Sequence, residues 1–152
     1  IYTLEAVIRK PSNTQAESLV SNMEWFNSST GHLGMRFGAQ ADGVGTAFCV
    51  GSYKNPYSVT GVPYLPNTIY TVSLVYRSDI ARLELRINGS LVYTDDTANV
   101  VPDKRLVLGR WSLTNSSFKG RGEVFAVRAY NRPLSSTEVY KNQQIDKDLY
   151  GI

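Results

Sequence analysis

The chain has 152 residues, 42% of them hydrophobic and 19% charged, a balance that suits one globular domain with a sizeable core. Its net charge of +3 comes from 16 basic and 13 acidic residues, without the basic run that tracks a phosphate backbone, so we expect no nucleic-acid partner. No stretch has the apolar length of a membrane span, and a single cysteine cannot form an internal disulfide. We therefore expect neither membrane insertion nor a disulfide scaffold.

The chain opens with the pattern of a strand, residues 1–9. A natural protein rarely starts within a strand, so we interpret residues 1–152 as a single domain cut from a longer polypeptide. Other domains of that polypeptide would then be its partners. Short apolar runs between Gly, Pro, Asn and Ser clusters predict further strands. These runs are residues 19–26, 33–39, 45–50, 105–108 and 123–130.

Two middle segments, residues 68–77 and 81–87, alternate between apolar and polar residues. This alternation predicts strands with one face on a core and the other in water. In the second segment the apolar face includes Leu85. The opposite face carries Arg82, Glu84 and Arg86, and we expect it to lie in water.

Asn88-Gly89 lies between two apolar runs and predicts a hairpin. Both residues tolerate the positive φ angles of a type I′ turn. A two-residue loop would place Val92 opposite Leu85 and keep the apolar face continuous.

The helix signal comes near the end of the chain. Ser135 and Glu138 have the spacing of a capping box, and the leucine and valine around them have the spacing of a hydrophobic staple. Residues 142–148 lose apolar periodicity, so we expect a short helix of about two to three turns near residues 136–143. Asp146 is then expected in a solvated tail.

Several motifs, taken in chain order, resemble one family. They are Thr3-Leu4-Glu5-Ala6, Tyr70-Thr71-Val72-Ser73-Leu74-Val75-Tyr76, Leu85-Arg86-Ile87-Asn88-Gly89-Ser90-Leu91-Val92, Phe118-Lys119-Gly120 and Val127-Arg128-Ala129-Tyr130-Asn131-Arg132-Pro133-Leu134-Ser135. On these motifs the chain resembles the laminin-G-like, concanavalin A-like lectin/glucanase domains of bacterial and phage surface proteins. The resemblance implies an all-β fold, a two-sheet antiparallel jelly-roll sandwich with one short C-terminal helix.

Catalytic patterns are missing from the sequence. Hydrolases on this sandwich resemble one another in a Glu-x-Asp-x-x-Glu strand, because glycoside hydrolysis needs two carboxylates on one face. No predicted strand here carries Glu-x-Asp. His32 is the only histidine and Cys49 the only cysteine, too few ligands for a zinc site, and no nucleophile turn accompanies the histidine. We expect no catalytic residues, no metal ligands and no enzyme activity.

A calcium ion stays an open alternative, because laminin-G-like domains often hold one at the rim of the sandwich. The candidate ligands are Asp42, Asp95, Asp96 and Asp103. The competing interpretation is that these aspartates bond to the backbone of their own turns.

Aromatic residues give the better indication of a site, because sugars stack their apolar faces on flat rings. Residues 52–67 have no strand signal and are expected to form a long loop, which is typical of functional or disordered segments. The predicted ligand-binding residues are Tyr53, Asn55, Tyr57 and Tyr64 in this loop, and Arg110 and Trp111 after a predicted strand. We expect the rings of Tyr53, Tyr57 and Trp111 to form an exposed cluster at one rim. Alternatively, they plug the open end of the sandwich.

The sequence therefore favours a non-catalytic carbohydrate-binding or adhesion module of an extracellular bacterial or phage surface protein, with a glycan or cell-surface ligand. Two alternatives remain open. One is a structural or assembly domain of a virion or surface protein, and the other is a lectin-like accessory domain of a glycosidase such as a sialidase.

Overall fold

The computed structural model describes residues 2–9, 17–21, 34–37, 47–51, 58–63, 65–96, 106–108 and 122–152, and the side chains of residues 2–9, 65–96, 106, 108 and 122–152. It contains ten strands and one helix in this part of the chain. They are β1 (Thr3–Arg9), β2 (Glu17–Ser21), β3 (Gly34–Phe37), β4 (Ala47–Gly51), β5 (Ser58–Pro63), β6 (Ile69–Arg77), β7 (Arg82–Ile87), β8 (Ser90–Asp95), β9 (Val107–Leu108), β10 (Glu123–Tyr130) and α1 (Ser136–Tyr150).

The described strands form two antiparallel sheets of five strands each. The first sheet has the order β10-β1-β6-β7-β8, and the second sheet has the order β5-β4-β3-β2-β9. In the first sheet β1 lies between β10 and β6, so the beginning of the chain pairs with its last strand. The all-antiparallel, strand-rich architecture agrees with the fold class that the sequence predicts.

A hydrophobic core covers one face of the first sheet. Because successive side chains in a strand point to opposite faces, alternate residues of β1, β6 and β7 share this face. They are Leu4, Ala6, Ile8, Tyr70, Val72, Leu74, Tyr76, Leu83, Leu85 and Ile87. The apolar face predicted for the two middle strands is therefore confirmed.

The hairpin at Asn88-Gly89 has the positive φ angles that the sequence predicts, 50° and 80°. Its register differs from the expectation. A β-bulge on β8 brings Tyr93, and not Val92, opposite Leu85. A bulge inserts one extra residue into a strand, and here it lets both Val92 and Tyr93 pack against the core.

The expected loop over residues 52–67 contains a strand, β5, so that part of the prediction is wrong. β5 pairs with β4 and lies at an edge of the second sheet. Its last residue is Pro63, which an edge strand tolerates because one side of its backbone has no partner strand. Prolines and a glycine disrupt the strand pattern in the sequence. The strand follows from its pairing with β4 rather than from local propensity.

The helix is longer than predicted, because α1 runs for 15 residues to Tyr150. The capping box of Ser135 and Glu138 is confirmed, and Leu134 and Val139 lie together in a buried cluster with Val75. Asp146 is not in a solvated tail, since it is only 3% exposed. The second half of the helix buries the polar residues Gln143 and Asp146, which apolar periodicity cannot detect.

Two residues of the β7 face expected in water, Glu84 and Arg86, lie instead beneath this helix, whereas Arg82 remains partly exposed. Glu84 is buried, and Arg86 donates to the Ser136 hydroxyl in the first turn of α1 (2.8 Å). Both faces of β1 and β6 are buried for most of their length. No helix in the described ranges is long and apolar enough to cross a membrane.

Truncation of Leu85 tests the core. Leu85 is 1% exposed, so Leu85→Ala should lower the free energy of unfolding by about 2–5 kcal/mol, through lost burial and a residual cavity. Leu91→Ala on the neighbouring strand is the matched control, because Leu91 is 48% exposed. It should change stability by about 0.5 kcal/mol or less. Chemical denaturation measures both, and equal effects would contradict the assignment of the core face.

The capping box makes stability depend on pH. Hydrogen bonds from Arg132 and from the backbone and side chain of Ser135 lower the pKa of Glu138 to about 2. A lowered pKa gives stability that is present above the ordinary value and lost as the pH falls through about 2. Thermal unfolding should therefore show a melting temperature that declines from about pH 5 towards pH 2.

Glu138→Gln isolates the charge, because glutamine can still complete a capping box. The variant should melt below the parent protein at pH 6, and its melting temperature should change less between pH 5 and pH 2. Identical pH profiles for the two proteins would contradict a role for the ionised carboxylate.

Candidate functional site

The six residues predicted to bind ligand, Tyr53, Asn55, Tyr57, Tyr64, Arg110 and Trp111, lie outside the described residues. Their side chains are therefore still a prediction. The described strands do fix the points from which these segments leave the second sheet.

The segment of Tyr53, Asn55 and Tyr57 leaves the sheet at one end. It joins β4, which ends at Gly51, to β5. The register places Gly51 beside Gly34, Gly34 beside Ser21, and Ser21 beside Val107. These four positions form one row across the sheet, which we call the Gly51 end.

Strands β5 and β9 both run towards the opposite end of the sheet. Pro63, the last residue of β5, lies opposite Ala47 at the start of β4. β9 passes from Val107 to Leu108, which lies beside Val20, and so runs away from the Gly51 end. The six predicted residues therefore divide into two groups by where their segments begin.

A layer of buried charge lies between α1 and the first sheet. Glu5, which is 3% exposed, faces Arg128 on β10 and Ser73 on β6 across the strand pairing. Arg128 donates to Glu5 (3.2 Å) and, through two nitrogens, to Asp146 of α1. Hydrogen bonds to Asp146, together with its charge and that of Glu5, raise the pKa of Arg128 above its usual value in spite of burial.

The remaining oxygens of this layer are also satisfied. The Ser73 hydroxyl donates to Glu5 Oε1 (3.1 Å), and Asn142 Nδ2 donates to Glu5 Oε2 (2.7 Å) and to the Tyr130 hydroxyl (3.0 Å). Burial, and next the negative charge of Glu5, raise the pKa of Tyr130. The surroundings of the Tyr130 hydroxyl therefore favour its neutral form.

A second ionic group holds the start of the helix. Arg77 donates to Glu84 (2.9 Å) and to the Leu134 carbonyl (3.2 Å), while Arg86 contacts Glu84 and Ser136. Burial alone would raise the pKa of Glu84, but the hydrogen bond and charge of Arg77, with the charge of Arg86, outweigh it and lower that pKa. This group ties β6 and β7 to the first turn of α1.

These carboxylates are poor candidates for catalysis. A glycosidase needs one carboxyl group that stays protonated and another that acts as nucleophile or base. Glu5 and Asp146 share Arg128, and both are covered by protein. The ion pairs of Arg128 with Glu5 and Asp146 suit a structural role, in which they hold the helix against the first sheet.

The sequence analysis missed this polar layer, although a signal was present. Glu138, Asn142 and Asp146 follow one another at intervals of four and so share one helix face. Glu5, Ser73 and Arg128 are polar residues in the middle of strands that are rich in apolar residues. A polar helix stripe next to polar positions in buried strands indicates that the two pack together.

The calcium candidates find little support among the described residues. No group of three or more His, Cys, Asp or Glu side chains that could hold a metal ion lies in this part of the chain. Asp96 is paired with Arg82. Asp42 and Asp103 lie outside the described residues.

A pocket of about 290 Å³ lies between the second half of α1 and the first sheet. We call it the helix pocket. Its lining includes Gln143 and Lys147 of the helix, Asn88 of the hairpin turn, and Ile69 and Thr71 of β6. It lies on the helix side of the sheet, because Thr71 belongs to the same face of β6 as Ser73. The sequence analysis did not predict this pocket.

The comparisons with known proteins give the family. Residues 1–140 match the family described as the Concanavalin A-like lectin/glucanases superfamily, of the laminin-G type. No curated protein matches the chain.

Solved structures share the fold at low sequence identity. A Bacteroides ovatus protein described as carbohydrate-binding has a TM-score of 0.71 and 16% identity over 91% of this chain and 39% of its own. Trypanosoma rangeli sialidase in complex with sialic acid has a TM-score of 0.67 and 18% identity over 95% of this chain and 23% of its own. A pentraxin from Limulus polyphemus has a TM-score of 0.58 and 13% identity over 91% of this chain and 67% of its own.

The chain spans well under half of the first two proteins, so their likeness concerns a part of each. The family match covers nearly the whole chain, and the strand-rich fold with its C-terminal helix agrees with it. The chain belongs to the concanavalin A-like lectin/glucanase superfamily.

Proposed function

We propose that the chain is a non-catalytic carbohydrate-binding module. The observation that carries this proposal is the fold it shares with the Bacteroides ovatus protein described as carbohydrate-binding, over 91% of the chain. The described carboxylates support the non-catalytic part, because Glu5, Asp146 and Glu84 are all bound by arginines beneath the helix. Fold alone does not give function, so the experiments must test the ligand site directly.

We further propose that residues 1–152 form one domain in which the two sheets pack face to face as a jelly-roll sandwich. The buried apolar face of the first sheet, on the side away from α1, needs a covering layer. The second sheet is the candidate for that layer, since β5 and β8 come into contact. Such a module would act outside the cell, on a cell surface or on a virion, beside other domains of a longer chain.

The proposed ligand contacts are Tyr53, Asn55, Tyr57, Tyr64, Arg110 and Trp111. Rings stack on the apolar faces of sugars, and the asparagine and arginine can bind hydroxyl groups. The two ends of the second sheet suggest two contact groups, one with Tyr53, Asn55 and Tyr57 and one with Tyr64, Arg110 and Trp111. An extended glycan could reach both groups, whereas a short one would use only one.

A second candidate is a lectin-like accessory domain of a glycosidase. It is favoured by the likeness to part of the Trypanosoma rangeli sialidase and to part of the Streptococcus pneumoniae NanB sialidase. Both candidates propose binding without catalysis in this chain. They differ in whether a catalytic domain accompanies it.

Alanine substitutions test the binding site. A glycan array would identify a ligand, and titration calorimetry would then compare Trp111→Ala and a Tyr53→Ala/Tyr57→Ala double variant with the parent protein. Loss of a stacking ring should weaken binding at least about tenfold, or about 1.4 kcal/mol. The melting temperature should stay nearly unchanged.

Tyr140→Ala is the matched control, because Tyr140 is 57% exposed on α1 and remote from the proposed contacts in sequence. It should leave affinity unchanged. If Trp111→Ala lowers the melting temperature and leaves affinity intact, the ring is a structural plug and this site is wrong. If no glycan binds, the proposed function itself is contradicted.

A further inference from the structure

The two halves of α1 are held against the first sheet in different ways. Leu134, just before the helix, and Val139, within its first half, lie in a buried apolar cluster with Val75 of β6. Beyond Val139, where the structure describes every residue, the helix buries only Gln143 and Asp146. Both side chains are polar, so the second half of α1, residues 143–150, has no buried apolar side chain of its own to hold it on the sheet.

The contact of this second half with the sheet is also incomplete. Gln143 Nε2 is buried without a hydrogen-bond partner among the described residues, and it would regain a hydrogen bond with water if the helix left the sheet. The helix pocket leaves a gap of about 290 Å³ between this half, β6 and the hairpin turn, and side chains that border a gap lose packing contacts. Ile145 and Leu149 are already 54% and 69% exposed, so opening would remove little of their burial.

An ion pair and a ring contact hold the second half of α1 closed. Arg128 donates to Asp146 through two nitrogens, and the ring of Tyr150 packs against that of Phe125, with 5.7 Å between the ring centroids. The net gain from a buried ion pair is small while both partners are present, although the loss of one partner is costly. The ring contact lies at an edge, because Phe125 is 39% exposed on β10, an edge strand of the described sheet. These contacts define the closed position more than they stabilise it.

The sheet face beneath the second half tolerates water. Glu5, Thr71 and Ser73 lie on this face and are buried, whereas the core residues of the same strands lie on the opposite face. An antiparallel sheet can pack one face on a core and expose the other face to water. Val7 is an apolar exception on the helix side, and the core cluster does not include it. The first sheet therefore keeps its core when the second half of α1 leaves.

We propose that residues 143–152 form a lid that opens by local unfolding, while residues 135–139 stay on the folded sheet. A segment of about ten residues unwinds as it leaves, because isolated helices shorter than about 12–15 residues are marginal in water. The open state gives solvent access to Glu5 and Arg128, and the closed state restores the ion pair with Asp146. This conformational device is independent of the proposed function and stands if that proposal fails.

Native-state hydrogen exchange of the ¹⁵N-labelled protein, followed by NMR, tests the lid. The amides of residues 145–150 should share one protection factor, at least about tenfold below that of the β6 amides Val72 and Leu74, because they exchange through one local opening. Protection equal to that of β6 would mean that the helix opens only with the whole domain, and the proposal would be wrong. Protection that falls steadily towards residue 150 would indicate fraying of the helix end instead, and would equally contradict it.

The dependence on urea gives a second measure of the same opening. Sensitivity to urea increases with the surface that an opening exposes. Low concentrations of urea should therefore accelerate the exchange of residues 145–150 less than that of Val72 and Leu74. Equal acceleration of both sets would assign the exchange to global unfolding and overturn the lid.

Two substitutions should move the opening in opposite directions. Gln143→Leu removes the unsatisfied donor, so it should slow the exchange of all amides of residues 145–150 by about tenfold. Asp146→Asn leaves Arg128 without its charged partner on the helix, so it should accelerate the same amides by about tenfold or more. If Asp146→Asn does not fold, Gln143→Leu decides the proposal alone, and unchanged exchange in Gln143→Leu would contradict it.

Asp148→Asn is the matched control, because Asp148 is exposed on the same part of the helix. It should leave the exchange of residues 145–150 within about twofold of the parent protein, since an exposed side chain contributes little to stability. An acceleration equal to that of Asp146→Asn would reduce the effect to helix charge and overturn the role of the ion pair in closing the lid.

Discussion

The contact between Arg128, Glu5 and Asp146 fixes how the helix meets the sheet. Glu5 lies on β1, in the interior of the first sheet, and Asp146 lies in the last turns of α1. Charges removed from water are costly unless they are paired and their remaining hydrogen-bonding groups are satisfied. Ser73 and Asn142 complete this layer. Because the layer is satisfied in this one arrangement, it indicates a specific position for the helix.

That position has two consequences on the helix side of the first sheet. The helix covers the face that alternation assigns to water, so β1 and β6 are buried on both faces. It also brings Gln143 against Gly89, which creates one wall of the helix pocket. A helix whose exposed surface includes Ile145 and Leu149 gains its stability from this buried polar face rather than from a wide apolar stripe.

Local patterns were sufficient for the two middle strands, the turn and the start of the helix. Leu83, Leu85 and Ile87 alternate strictly, Asn88-Gly89 suits positive φ, and Ser135 has its capping partner three residues later. Each of these features depends on neighbours in sequence, so the sequence carries the whole signal.

Features that depend on distant partners were not predictable in the same way. β5 exists because β4 is beside it, and Asp146 is buried because Arg128, 18 residues away in sequence, binds it. The bulge that places Tyr93 opposite Leu85 depends on how two side chains share the core. In each case the deciding contact joins residues that no short window contains.

Two buried side-chain nitrogens of the described residues, Arg86 Nε and Gln143 Nε2, have no hydrogen-bond partner where the helix meets the sheet. Arg86 Nε has no partner, but the same guanidinium already binds Glu84 and Ser136, so its charge is compensated. Gln143 Nε2 is closed off by protein as well, and its carboxamide lies against Gly89. An unsatisfied donor in a contact that is closed to solvent lowers stability, because nothing replaces the hydrogen bond that it made with water in the unfolded chain. Both nitrogens therefore lower the stability of the contact between the helix and the sheet, which depends on the satisfied ion pairs around them.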